Sequence, residues 1–299
     1  SPLTSSSAAH QLQEALRIVE SGASIQSLLY PFALKLLQHP WFKRADVVHY
    51  HLIYPKWFAL WMLPIVTRKK PSIWTIHDPW PLTGHCVHPL DCQRWKIGCG
   101  NCPYLTTPFA MRRDHTAMMW QVKKHIYQHS KIHLVVASHW MRKMVEQSPL
   151  LKKFTTHLIP FGIDTDIFKP EDKEKAKQQL GLNPRDFVIG VRTTTDPLKG
   201  LEFAKKALRK LKTKKKICLL SFGQRGLLND FKDRFQVVDM GWIDIDEILV
   251  KAYNAIDVFL MPSIGESFGM MAVEAMACGS TVLGFDKTAL EETIETPKG

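Results

Sequence analysis

Short apolar, β-branched runs recur along the chain, separated by longer stretches in which apolar positions return every three or four residues. In the first half the runs are Asp46-Val-Val-His-Tyr-His51, Ser72-Ile-Trp-Thr-Ile-His77, His133-Leu-Val-Val-Ala137 and Thr156-His-Leu-Ile-Pro160. The second half adds Phe187-Val-Ile-Gly-Val191, Ile217-Cys-Leu-Leu-Ser-Phe222, Gln236-Val-Val-Asp-Met240, Val258-Phe-Leu-Met-Pro262 and Thr281-Val-Leu-Gly-Phe285. Helical spacing marks residues 8–20, 139–147, 201–212, 245–254 and 268–278. Strand–helix alternation in both halves predicts two α/β modules with largely parallel sheets. Such sheets bind ligands at the carboxyl ends of their strands, and two modules facing each other would enclose a cleft. The boundary is expected near Phe168-Lys-Pro170, where the charged segment 171–179 begins, giving modules over residues 1–170 and 171–299.

Composition narrows the class. The chain has 299 residues, 45% apolar and 23% charged, and it contains no uncharged apolar run long enough to cross a bilayer. The least charged stretches, 21–34 and 57–67, are too short and each holds a proline, Pro31 and Pro64. The first residues show no basic segment followed by an apolar one, so no secretory signal is expected and the location predicted is cytoplasmic. The formal charge of +12 is uneven: residues 1–170 carry +11, together with all 13 His, eight of nine Trp and four of six Cys. A basic module suits nucleic acid, an anionic membrane surface or acidic small molecules. No base-reading module is recognisable, so nucleic acid is not an expected partner. The dense basic run 205–216 reads as a solvated helix face and turn.

The most informative segment is Pro262-Ser-Ile-Gly-Glu-Ser-Phe-Gly-Met-Met-Ala-Val-Glu-Ala-Met-Ala-Cys-Gly-Ser280. A strand ends, a loop with Gly265 and Gly269 follows, and a helix of small and sulfur-bearing residues runs to Gly279. Glu274 lies among Met271, Ala272, Val273, Ala275, Met276 and Ala277, where an unpaired carboxylate costs several kcal/mol unless something binds it. A hydroxyl-rich ligand would. The N–H groups of Ser267, Phe268 and Gly269 at the helix entrance offer an anion site, and a phosphate there with a ribose on Glu274 describes a nucleotide. The structural alternative is a surface Glu266 that caps the helix and a Glu274 paired with an internal Arg.

Two further constellations stand in the first half. His51 and His77 each end a strand, which places them where ligands sit. Cys86-x5-Cys92-x6-Cys99-x2-Cys102, flanked by His85 and His88, packs four thiols into the loop 85–103. That density leaves open a structural zinc site, reduced or redox-paired thiols, or an iron–sulfur centre, with zinc preferred. Cys218 and Cys278 read as core residues.

Glu266 and Glu274, with Ser-Phe-Gly after the first and Ala-Met-Ala-Cys-Gly after the second, resemble the paired-glutamate signature of retaining glycosyltransferases of family 4, which have the GT-B fold. The resemblance extends to Ala45-Asp-Val-Val-His-Tyr-His51, Trp74-Thr-Ile-His-Asp78, Ala137-Ser-His-Trp140, Ile159-Pro-Phe-Gly-Ile-Asp164, Lys199-Gly200 and Ala255-Ile-Asp-Val258. The stretch Trp74-Thr-Ile-His-Asp-Pro-Trp-Pro-Leu-Thr-Gly-His-Cys86 resembles a subgroup found in bacterial exopolysaccharide and colanic-acid-type gene clusters. The resemblance implies two Rossmann-like domains facing across a cleft and a UDP- or GDP-sugar donor. It also implies a saccharide or lipid-linked saccharide acceptor, and the charge asymmetry fits a basic domain that approaches the anionic inner face of the cell membrane to meet it. Glu274 would then hold the ribose, Glu266 the donor sugar, and Lys199, with Arg192, the diphosphate. His77 would lie by the reacting carbon, and Asp78 would orient it or touch the acceptor. No catalytic metal is required. The family's opening strand with its glycine-rich loop and its closing helix are not evident, and Asp286-Lys-Thr-Ala-Leu-Glu291 replaces a glycine-pair loop, so a truncated form is expected. A non-catalytic GT-B partner subunit that binds nucleotide is the alternative.

Overall fold

The computed structural model describes residues 7–53 and 58–295. Trp57 and the two chain ends, on which parts of the reading above rest, lie outside the described residues. The chain divides into two compact units, Ser1–Pro160 and Phe161–Gly299, ten residues ahead of the boundary expected at 170. The physical reason is local: Phe161 packs edge-on against Phe268 at 5.2 Å, and Phe168 packs against the core of the second unit. No described helix is long and apolar enough to cross a membrane.

The first unit runs α1 (Ser7–Gly22), α2 (Pro40–Arg44), β1 (Val48–Tyr50), α3 (Met62–Lys69), β2 (Ser72–Ile76), α4 (Thr116–Gln128), β3 (His133–Val136), α5 (His139–Gln147) and β4 (Thr156–Leu158). Its sheet has the order β1-β2-β3-β4, all parallel, with Val48 opposite Ser72 and Trp74 opposite Leu134. α5 shows how the sequence sets these elements. The Ser138 hydroxyl caps it by accepting from the Met141 N–H at 3.1 Å. Met141, Met144 and Val145, at helical spacing, then bury one stripe against the sheet. α4 carries the buried Met119, Trp120, Lys123 and Ile126; a helix there was not among the sequence expectations.

The second unit runs α6 (Lys173–Gln179), β5 (Phe187–Thr193), α7 (Leu201–Lys210), β6 (Ile217–Gly223), β7 (Gln236–Asp239), α8 (Asp246–Ala255), β8 (Val258–Met261), α9 (Met270–Ala277), β9 (Thr281–Gly284) and α10 (Leu290–Ile294). All five strands are parallel, in the order β7-β6-β5-β8-β9. Continuous apolar runs in β5 and β6 follow from burial on both faces. Val188, Cys218, Leu220 and Phe222 point into one core layer, whereas Ile189, Val191, Ile217 and Leu219 point into the other. Cys218 and Cys278 are buried, as expected.

The Ala255-Ile-Asp-Val258 motif acquires a structural role. Asp257 Oδ2 accepts from the Val188 N–H and from Lys177 Nζ, both at 2.8 Å, and Oδ1 accepts from Lys173 Nζ at 3.2 Å. Burial pushes this carboxyl up, but the Lys177 bond, the Val188 N–H and the second lysine outweigh it and hold it below 3.8. A depressed carboxylate contributes stability above its unfolded pKa and loses it as pH falls. Asp257→Asn, which strands the buried Lys177, is expected to lower unfolding stability by about 2–3 kcal/mol at neutral pH in urea titrations. The deficit should shrink on acidification below about pH 4.

Candidate active site

The order β7-β6-β5-β8-β9 reverses direction at β5, and the crevice beyond the carboxyl ends of β5 and β8 is where a parallel sheet accepts a ligand. Both rims carry the expected side chains. β5 ends at Thr193, and a 3-10 turn, Pro197–Lys199, starts with the Asp196 carboxylate accepting from the Leu198 N–H at 3.0 Å. Gly200 continues in the left-handed conformation, φ 69°, and a Cβ there would lie 1.8 Å from the Pro262 carbonyl oxygen. Only glycine lets this turn lie so close to the end of β8. The Ile264 N–H donates to the Leu198 carbonyl at 2.9 Å, which ties the loop after β8 to the same turn. Lys199 Nζ consequently reaches Glu266 Oε1 at 2.6 Å, with the two side chains 22% and 11% exposed.

Glu274 stands on α9, half-buried, and its Oε2 accepts from the Tyr253 hydroxyl at 2.9 Å. Burial raises its carboxyl above the ordinary range; the Tyr253 bond opposes this, Asp246 adds to it and Arg192 counters it. Arg192, at the end of β5, points its guanidinium at Met271 Sδ, 3.5 Å away. The site therefore contains a Lys199–Glu266 pair and an Arg192–Glu274–Tyr253 group. The internal-Arg alternative for Glu274 is partly met by Arg192, and the Tyr253 hydroxyl is the direct partner that sequence reasoning missed. Tyr253 had one signal: a buried phenol on α8 needs a polar partner. α9 begins at Met270, with Gly269 before it at φ 96°, so Ser267, Phe268 and Gly269 form the loop leading into the helix rather than its first turn. A residue with that φ cannot be helical, which explains the later start.

In the first unit, His49 and His51 alternate along β1 and its end, and therefore share one side. Their rings lie 4.2 Å apart, and His51 Nδ1 is 2.9 Å from His77 Nε2 just beyond β2. Three imidazoles thus cluster at the carboxyl end of two neighbouring strands. His77 is pulled below the ordinary histidine value of 6.5, first by burial and then by His51 and His49. The His51–His77 hydrogen bond needs one donor and one acceptor. Asp78 Oδ1 accepts from the Trp80 N–H at 2.8 Å; burial pushes its carboxyl up to about 7, against the Trp80 bond and Lys123. The hydrogen-bond partner seen on His77 is thus His51, while Asp78 starts the turn Trp80–Leu82. Cys86, Cys92, Cys99 and Cys102 line one cavity with His85, and all four are free thiols.

A doubly wound parallel unit that gathers carboxylates and cations at its switch point is the architecture of a nucleotide-dependent transferase. The family model for Glycosyltransferase Family 4 matches residues 8–167, and that for group 1 glycosyl transferases matches residues 185–298. The chain belongs to glycosyltransferase family 4. D-inositol 3-phosphate glycosyltransferase of Segniliparus rotundus is 33% identical over 138 residues, 42% of this chain and 30% of that protein. Its namesake in Paenarthrobacter aurescens is 30% identical over 146 residues, 45% of this chain and 36% of that protein. The matches thus span about a third of these curated relatives' length. Anabaena HepE, solved with UDP and glucose, superimposes with a TM-score of 0.62 at 19% identity, covering 90% of this chain and 66% of that one. Sucrose-phosphate synthase from Thermosynechococcus elongatus gives 0.59 at 19%, covering 95% and 62%. These likenesses establish the GT-B fold.

The imidazole cluster predicts a measurable titration. In ring carbon NMR spectra of the folded chain, His77 should titrate below pH 6.5, and His51→Asn, which removes one of the cations depressing it, should move that midpoint upward.

Proposed function

We propose that this chain is a retaining glycosyltransferase that moves a sugar from a UDP- or GDP-linked donor to a saccharide acceptor in the assembly of a surface or extracellular polysaccharide. The observation that carries the reading is the Lys199–Glu266 pair, 2.6 Å apart at the sheet's switch point, next to a carboxylate that burial leaves in need of a ligand. In this reading the ribose hydroxyls bind Glu274, and the donor sugar's hydroxyls bind Glu266. Lys199 then turns from Glu266 to the diphosphate, with Arg192 as the second cation. Departure of a nucleoside diphosphate develops negative charge, which a fixed cation stabilises most in the transition state. Binding donor therefore exchanges one ion pair for another. The backbone N–H groups of Ser267, Phe268 and Gly269 serve the sugar and phosphate oxygens.

His77, held neutral, offers the reacting centre a hydrogen-bonding group rather than a charge. The sugar leaves as a short-lived oxocarbenium-like ion, and the departing phosphate deprotonates the acceptor on the same face, so no protein nucleophile is invoked. HepE was solved with UDP-glucose as well as with UDP and glucose, which supports a uridine donor. The names of the curated relatives, acting on an inositol phosphate, and the charge of the first unit both favour an acceptor that carries phosphate, such as a diphosphate-linked lipid saccharide.

Isothermal titration of UDP and of GDP into the full chain tests the donor assignment. Binding is expected, weakened about tenfold or more by Glu274→Ala, the loss of a hydrogen bond to a charged group. Unchanged affinity would overturn it. Nucleotide binding without sugar transfer to any acceptor would instead select the non-catalytic subunit.

The surface of the first unit supports a membrane-docking reading. Trp41 is 74% exposed on α2, beside the exposed Lys43 and Arg44, and Lys70 reaches the Lys43 carbonyl at 3.2 Å. Tryptophan flanked by cations is the composition of an interfacial anchor. Co-sedimentation with anionic vesicles at low salt should be strong, should weaken with added salt, and should fall several-fold for Trp41→Ala. No retention on such vesicles would remove the peripheral-membrane reading.

A further inference from the structure

The segment between β2 and α4, residues 77–115, poses a problem that the donor site does not solve. Its regular structure is confined to the turns Trp80–Leu82 and Arg94–Lys96. An irregular loop of this length inside a compact unit is uncommon and needs something to fix it. Yet Trp80, His85, Cys86 and Trp95 within it are all buried. Its backbone is also strained, since Gly98, Cys99, Gly100 and Asn101 run consecutively at positive φ. Left-handed φ at non-glycine residues costs about a kcal/mol each and persists only where the surroundings over-determine it.

We propose that Cys86, Cys92, Cys99 and Cys102 hold one thiophilic divalent cation, zinc in the cell, and that this ion is the staple of the loop. The four thiols line a single cavity of about 20 Å³. That is room for one ion or one water. The positive-φ turn through Cys99-Gly-Asn-Cys102 brings two of the four cysteines into one short stretch of chain. Among the described residues, no three His, Cys, Asp or Glu side chains already stand ready to hold an ion, so the thiols must rotate inward to bind it.

Two surrounding features fit a thiolate site. Sulfur ligands are oriented and stabilised by N–H donors; here the Gly84 N–H donates to Cys99 Sγ at 3.2 Å, and His85 Nε2 lies 3.5 Å from Cys102 Sγ. The second feature is Lys123, fully buried on α4. Its ammonium donates to the Trp80 and Thr83 carbonyls at 2.7 and 2.9 Å and sits 3.7 Å from the Trp80 ring centroid. Those partners are neutral. A zinc ion held by four thiolates carries a net charge of about −2, and a buried amine anchored to the Trp80 and Thr83 carbonyls of the same loop can offset that charge as a cation where water cannot. The ion would also fix the segment that leaves β2 directly after His77, without taking part in sugar transfer. The proposal does not depend on the donor assignment.

Elemental analysis of the full chain, purified without chelator, should find about one zinc per chain. Cys92→Ser and Cys102→Ser should reduce it to roughly none, while Cys218→Ser and Cys278→Ser, in the other unit, should leave it unchanged. Should the loop variants fail to fold, the wild-type chain still decides. Cobalt(II) exchanged into it should give the intense visible bands and sulfur-to-cobalt charge transfer of a tetrahedral thiolate site, and zinc should raise the thermal midpoint of the stripped protein. A metal-free chain whose four loop thiols react freely with a thiol reagent, or form disulfides, would overturn the proposal. So would a cobalt spectrum lacking thiolate charge transfer.

Discussion

The candidate site of the second unit is built around the carboxyl end of β5. This strand pairs with β6 on one side and β8 on the other, and both of its faces are buried. At its carboxyl end the sheet's connections part, and the crevice is held from both rims by backbone: the Ile264 N–H on the Leu198 carbonyl, and Gly200 against the Pro262 carbonyl. Lys199 and Glu266, 67 residues apart, therefore meet because the chain brings them together, not because they attract. A partly exposed ion pair contributes only about 0–1 kcal/mol. That weakness suits a site whose cation must be released to a ligand. The strong, geometry-setting interactions lie in the backbone, and the reactive side chains above them remain exchangeable.

The first unit distributes charge in the opposite way. Its excess of +11 lies on lysines and arginines, many of them exposed, whereas His49 and His77, near the ends of β1 and β2, are drawn below the ordinary imidazole value, first by burial and then by neighbouring histidines. What remains at the strand ends is a set of hydrogen-bonding rings, able to donate or accept toward hydroxyl groups. Net positive charge and clustered hydrogen-bonding rings are thus carried by different residues of the same unit.

The parallel α/β architecture was legible because buried strands read as apolar runs and the connecting helices read at 3.6-residue spacing. All nine strands fall within a residue or two of their sequence positions, and α5 coincides with its expected span. Errors arose where a single backbone angle decides. Gly269 at φ 96° starts α9 two residues late, and nothing in an apolar pattern records that angle. The unit boundary was drawn at the change in composition, yet the aromatic contact of Phe161 with Phe268 commits the preceding loop to the second unit. Partners were the least legible feature. His51 was visible as a strand-end histidine, but its bond to His77 depends on the register of β1 against β2. Lys123 carried no signal, because a lysine on an amphipathic helix ordinarily reads as solvated.

Lys123 and Glu274 pose the same physical question. Each is a charge that burial disfavours, with neutral hydrogen-bond partners close by: two carbonyls for the lysine, a phenol for the glutamate. Neutral partners satisfy the hydrogen bonds without compensating the charge. For Glu274 the imbalance is modest, since the side chain is half-buried and Arg192 lies within electrostatic reach; hydroxyl donors from a transient ligand are enough to complete it. For Lys123, fully buried, burial pulls the ammonium down to about 7, against the opposing influence of Cys99, Cys86 and Asp78. A transient ligand cannot satisfy a group that must be stable throughout the life of the fold. The counter-charge for Lys123 is built into the fold: Asp78 is one source, and in the proposed metal site the thiols of the adjoining loop, once ionised, are the other.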